Sequence, residues 1–172
     1  MPSNPATFVA QLLAEQWTES VTGRTTDVPE PTITERGDES QQSLRTAGKI
    51  VVDGTAEVDI EQLGFGVDFE GIDDSVVIEI RAYDRRVSGA FSSGRDLLEG
   101  TRPDATTPPD RHAGLLGETL RILRANRRGI AEYDRLQYSV DRSPGGVEGQ
   151  GTHRVDVPVL CIRHARGVDP ST

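Results

Sequence analysis

Ser75-Val76-Val77-Ile78-Glu79-Ile80-Arg81-Ala82-Tyr83 is the stretch that decides the fold. Val76, Ile78, Ile80 and Ala82 share one face, and Val77, Glu79, Arg81 and Tyr83 share the other. Strict period-two patterning in a β-branched run predicts a strand with one fully apolar face and one mixed face. Such a strand needs a helical layer on its apolar side and partners along its edges.

Both directions along the chain supply them. Downstream, residues 84–109 form a long connection with one possible helical turn, Asp96-Leu97-Leu98-Glu99. Pro108-Pro109-Asp110 leads into a helix expected near 110–128 and stopped by Gly129. Leu116, Leu120 and Leu123 make its apolar face, and Arg121, Arg124 and Arg128 a basic stripe. Leu136, Tyr138 and Val140 then alternate, a Gly-rich loop follows, and a return strand runs from His153 to Arg163. Val155, Val157, Val159 and Cys161 share one face of it, while Pro158 predicts an edge or bulged position.

Upstream, Lys49–Val52 and Glu57–Ile60 flank Asp53-Gly54, a hairpin signal. Thr32-Ile33-Thr34, between Pro31 and a polar loop, fits only an edge strand. Asn4-Pro5 reads as cap and first turn of a helix over 5–21, with Phe8, Val9, Leu12, Leu13 and Trp17 at helical spacing. The expected class is α+β: a small antiparallel or mixed β-sheet packed by two main helices, with a long C-terminal β-hairpin. Residues 1–166 are expected to form a single domain, with an acidic β insertion at about 37–74 and a flexible tail at 167–172.

Charge sharpens the picture. The 172 residues carry 28 acids against 19 bases, a net charge of −9, and Lys49 is the only lysine among 18 arginines. Arginine without lysine on an acidic chain fits folding in molar salt, where the Debye length is about 3 Å. A GC-rich genome accounts for the arginine as well, though not for the acid excess. Residues 1–107 hold 20 acids and 9 bases, whereas 108–172 hold 8 acids and 10 bases. Such a split fits contact between unlike parts of neighbouring copies, or a solvated acidic insertion. The net charge argues against capture of nucleic acid by the monomer as a whole. No apolar run reaches the roughly 20 residues of a membrane span, and Met1–Pro5 has no leader-like pattern.

Chemistry is sparse. His112, His153 and His164 have no metal-clamp spacing, and Asp68, Glu70, Asp73 and Asp74 miss the calcium-loop register. Cys161 falls in a core register and reads as an inert thiol. Ser92-Ser93-Gly94 and Gly64-Phe65-Gly66 match no nucleophile elbow or phosphate loop and read as flexible loops. No catalytic residue, cofactor or metal is expected. The arginine stripe serves either as an interface or as a solvated helix face; the candidate contact residues are Arg121, Arg124, Arg128, Arg81, Asp68 and Glu70.

The series from the Phe8–Trp17 helix through Pro31-Thr32-Ile33, Val76–Asp84 and Leu115–Leu123 to His153-Arg154-Val155-Asp156-Val157 resembles the tail-completion or tail-terminator proteins of long-tailed viruses. That resemblance implies a virion protein, not an enzyme, forming a ring, commonly hexameric, between tail tube and neck connector. It implies assembly in the host cytoplasm, no membrane, and viral DNA passing the lumen without sequence-specific binding. The acidic, lysine-poor surface would then imply a virus of a halophilic archaeon. The chain departs from the usual pattern in its acidic insertion and its 84–109 loop. A neck or head-completion connector is the close alternative. A small halophilic enzyme or ligand-binding domain, with His112 or Asp68 in a cleft, is the alternative of another class.

Overall fold

The computed structural model describes residues 4–17, 28–37, 46–55, 72–87, 91–100, 114–130, 133–144 and 151–163. Expectations for 18–21, Glu57–Ile60, Asp68, Glu70, Pro108–Asp110, His112, His164 and 167–172 lie outside these residues. The described chain is an α+β fold with helices α1 (Pro5–Gln16), α2 (Gly94–Glu99) and α3 (Leu115–Ala125). Its strands are β1 (Thr32–Glu35), β2 (Gly48–Asp53), β3 (Ile72–Tyr83), β4 (Arg128–Ile130), β5 (Tyr133–Tyr138) and β6 (Thr152–Arg163).

The strands form one mixed sheet in the order β1-β2-β3-β6-β5-β4. The two longest strands, β3 and β6, pair antiparallel along their whole length and form its centre. β2 runs antiparallel to β3, and β1 lies parallel to β2 at one edge, as the prolines around it require. The alternation expected of β3 holds. Val76, Ile78, Ile80 and Ala82 are fully buried and join Ile50, Val52, Val155, Val157, Val159 and Cys161 in the core beneath the helices. Each large aliphatic side chain enclosed this way contributes about 1.5–3 kcal/mol.

α1 begins where Asn4 caps it, its side chain accepting from the Ala6 N–H at 2.9 Å. Val9, Leu12, Leu13 and Trp17 are buried, and Phe8 packs on Tyr133 with ring centroids 5.0 Å apart. α2 grows from the expected turn at Asp96–Glu99; Ser93, expected in a flexible loop, caps it by accepting from the Asp96 N–H. α2 and α3 meet backbone to backbone: a Cβ on Gly114 would stand 2.5 Å from the Gly100 nitrogen, so only glycine fits there.

Two expectations are corrected. The second long helix neither begins at 110 nor reaches 128: it is α3, capped by Gly114 and closed at Asn126. The Asn126 side chain donates to the Ile122 carbonyl at 2.7 Å and exchanges hydrogen bonds with the Gln16 amide, which ends the helix before Gly129. Arg128 is therefore the first residue of β4, not part of a helical stripe.

Pro158 lies in an interior strand, not at an edge. Its carbonyl accepts from the Ser139 N–H at 3.2 Å, so its missing donor faces the β5 side. There the ladder has already ended at Tyr138, and pairing resumes only at the isolated Asp141–Asp156 bridge. The proline thus sits at the one gap that β5 leaves.

Candidate functional site

The sheet face opposite the described helices carries the residues of mixed alternation. Glu79 is only 5% exposed, yet it is surrounded by charge. It pairs with Arg36, with Arg81 at 2.8 Å and with Arg154 at 3.1 Å. Arg36 also holds Asp53 at 2.6 Å, and Arg154 holds Asp156 at 2.8 Å. The register explains the weave. Glu79 stands opposite Asp156 and Arg81 opposite Arg154, so like charges face each other directly, while Glu79 meets Arg154 on the diagonal and the other pairs run along one strand. Asp53 is partly desolvated, but hydrogen bonds from Thr55 and the Arg36 charge outweigh that and hold its carboxyl below the usual range. Arg81, an expected contact residue, is thus an internal tie.

Arg121 is internal too. It bonds Glu118 at 2.8 Å, a carboxylate 1% exposed, and donates to the Gln16 carbonyl at 2.9 Å. It therefore clamps α3 to the end of α1.

Arg124 and Arg128 are exposed and do come together, with Arg127 and Arg135, around an open concavity of about 450 Å³. Among the described residues, its lining is Arg124, Ala125, Arg127, Arg128 and Arg135. Arg128 and Arg135 are directly opposed across the β4–β5 hairpin, the only described hairpin at this edge. Arg127 lies over the Tyr138 ring, 5.9 Å from its centroid. With its amide oxygen turned to the guanidinium, buried Gln137 accepts from Arg135 at 2.9 and 3.0 Å. Arg127 and Arg135 escaped the helical-stripe reading because the helix ends early and the tight β4–β5 return brings 135 back to 128.

A second concavity, of about 400 Å³, opens at the far end of the sheet between α2 and the start of β6. Arg95, Arg142 and Arg154 line it with Glu99 and His153, over Leu98 and Val155. Glu99 joins its two sides, bonding Arg142 at 2.7 Å across 43 residues. Beneath it, Asp84 accepts from the Gly94 N–H at 2.6 Å and meets His153 Nε2 at 3.0 Å. The Gly94 bond, then His153, hold the Asp84 carboxyl below its ordinary range. Gly151 adopts φ +80°, and a Cβ there would come 3.0 Å from Asp84 Oδ2. This polar group joins the turn after β3 to the start of β6, positions that lie 69 residues apart in sequence.

Cys161 is fully buried, and burial pushes its thiol up to about 12. Burial likewise moves the Tyr133 hydroxyl, which lies between Asp74 and Arg163, up to about 12. Neither is a nucleophile at neutral pH.

No family model matches the chain, and no curated protein or solved structure matches it.

Proposed function

We propose that the chain is a ring subunit that ends a viral tail tube and joins it to the neck. The observation that supports this best is a single sheet ending in two short edge strands, β1 and β4, at opposite sides. Contact from the β4 side of one copy to the β1 side of the next repeats by rotation, and such a head-to-tail contact closes into a ring where the rotation divides a full turn. Charge gives it direction. Glu30 and Glu35 flank the β1 edge, while Arg124, Arg127 and Arg128 crowd the β4 edge, so like edges repel. Sedimentation in molar salt, with and without tail tubes, tests the reading: a ring-sized species that caps tubes is expected. A monomer at all concentrations, indifferent to tubes, would overturn it. A connector of the neck would form the ring but bind head rather than tube.

One observation favours a ligand-binding domain instead, the cleft built over Asp84 and His153. Under that reading the protein stays monomeric, and substitutions in the cleft alone change its activity.

A further inference from the structure

We infer that copies of this chain join by a main-chain ladder, in which β4 of one copy pairs parallel with β1 of the next. The pairing rests on the head-to-tail ring proposed above and names the bonds that hold it. Strand direction permits it. β1 and β2 run parallel, and the steps β2–β3, β3–β6, β6–β5 and β5–β4 are all antiparallel. Those reversals return β4 to the direction of β1. A copy shifted sideways in the sheet plane, helices on the same side, therefore brings β4 parallel to β1.

Backbone orientation is the stricter condition. In a parallel pair on a shared face, the outward-pointing groups of the two strands must belong to residues on opposite faces. The Arg36 N–H donates to the Val52 carbonyl at 2.9 Å, so by alternation Ile33 and Glu35 turn their N–H and C=O away from β2. Both side chains lie on the helix face: Ile33 packs on the core, and Glu35 accepts from Thr7 of α1. At the other edge the Arg127 carbonyl accepts from the Leu136 N–H at 3.2 Å, so Arg128 and Ile130 point outward. Arg127 lies over Tyr138 on the helix face, whereas Arg128 shares the opposite face with Arg135 and Gln137. The condition is met.

Register follows from Pro31 and from the end of α3. With Ile33 beside Gly129, the Ile33 N–H meets the Arg128 carbonyl, and the Ile130 N–H meets the Ile33 carbonyl. The Glu35 N–H then meets the Ile130 carbonyl, and the Arg128 N–H meets the carbonyl of Pro31, which needs no donor of its own. A slide of two residues one way calls on the N–H that Pro31 lacks. The opposite slide calls on the carbonyl of Asn126, whose φ of −110° and ψ of 22° close α3 and are not extended. Like edges can also pair, antiparallel about a two-fold axis. That arrangement brings Glu35 near its own copy, or Arg128 near its own, and like charge opposes both.

The test uses the full chain in molar salt, followed by sedimentation velocity across concentration and by amide hydrogen exchange. Wild type should form the ring-sized species, with exchange at Ile33, Glu35, Arg128 and Ile130 slowing as it assembles. Glu35→Pro and Ile130→Pro each remove an outward donor, so each should stay folded by circular dichroism and weaken association about tenfold or more. Glu35→Gln keeps the donor and should assemble within about threefold of wild type. Rings from both folded proline variants at wild-type concentrations would overturn the ladder and leave the ring reading standing. A monomer at every concentration would overturn both. A wild-type species that stops at the dimer would overturn the ladder in favour of like-edge pairing. Where a proline variant fails to fold, exchange in wild type decides: amides at these positions as fast in the ring as in the monomer would overturn the ladder.

Discussion

Seven of the arginines on this sheet and its rim fall into two groups, and the groups are opposites. Arg36, Arg81 and Arg154 converge on the nearly buried Glu79, and Asp53 and Asp156 complete the neutralisation. Arg124, Arg127, Arg128 and Arg135 line an open hollow at the β4–β5 edge. The same side chain is an enclosed tie in one place and a solvent-facing group in the other. What separates them is position: the first group crosses the central strands, and the second lies at the outer edge. Arg163, with Asp74 and Tyr133 at the end of β6, belongs with the enclosed groups.

The largest expected effect falls on the enclosed side. Both Cys161 and Tyr133 have folded pKa values raised by burial, so their contribution is complete below the unfolded values of about 9 and 10 and is lost as pH climbs towards 12. For the fully buried Cys161, the rise from about 9 to about 12 amounts to an upper figure on the order of 4 kcal/mol. Denaturation midpoints should hold level to about pH 8.5 and then fall, and Cys161→Val should delay the onset by about one pH unit. A level profile to pH 12 would mean that the core is open to hydroxide.

Next is Glu79→Gln. Removing a buried anion from among three cations costs about 3–5 kcal/mol in a closed interior. Here the arginines remain a quarter to a third exposed, so about 2–3 kcal/mol is expected by urea unfolding. Arg121→Ala should follow at about 2 kcal/mol, since it strips Glu118 of a charged partner and α1 of its clamp. Unchanged stability in either variant would break the distinction between ties and contacts.

The smallest effect has the opposite sign. Arg128→Glu replaces a like-charge pair with an opposite one and should raise stability by about 0.2–1 kcal/mol in dilute buffer. A substantial loss would move Arg128 into the first group.

Much of this architecture is readable in the linear chain. The period-two alternation of Val76–Tyr83 and Val155–Cys161 is a local property, and it placed both central strands and their buried faces correctly. The edge position of Thr32–Thr34 followed from its prolines, and the enclosed thiol from its register. Failures occurred where long-range contacts overrule spacing. Helical periodicity carried Arg128 onto α3, because nothing local reveals that Asn126 is held by Gln16, 110 residues away. Pro158 implied an edge or a bulge, because its tolerance depends on where the ladder of β5 lapses. The Glu79 weave was half visible: Glu79-Ile80-Arg81 and Arg154-Val155-Asp156 both alternate charge on one face, but only the register shows that their opposite charges meet diagonally. The Asp84–His153 contact and the Arg128–Arg135 opposition had no signal in spacing at all.

The most direct test is sedimentation velocity in molar salt on Arg128→Glu beside Glu79→Gln, with unfolding followed in parallel. The account predicts that Arg128→Glu keeps its stability and loses the ring-sized species, while Glu79→Gln loses stability and still assembles wherever it remains folded. Rings from Arg128→Glu as abundant as those of wild type, or its unfolding under conditions that Glu79→Gln survives, would contradict it.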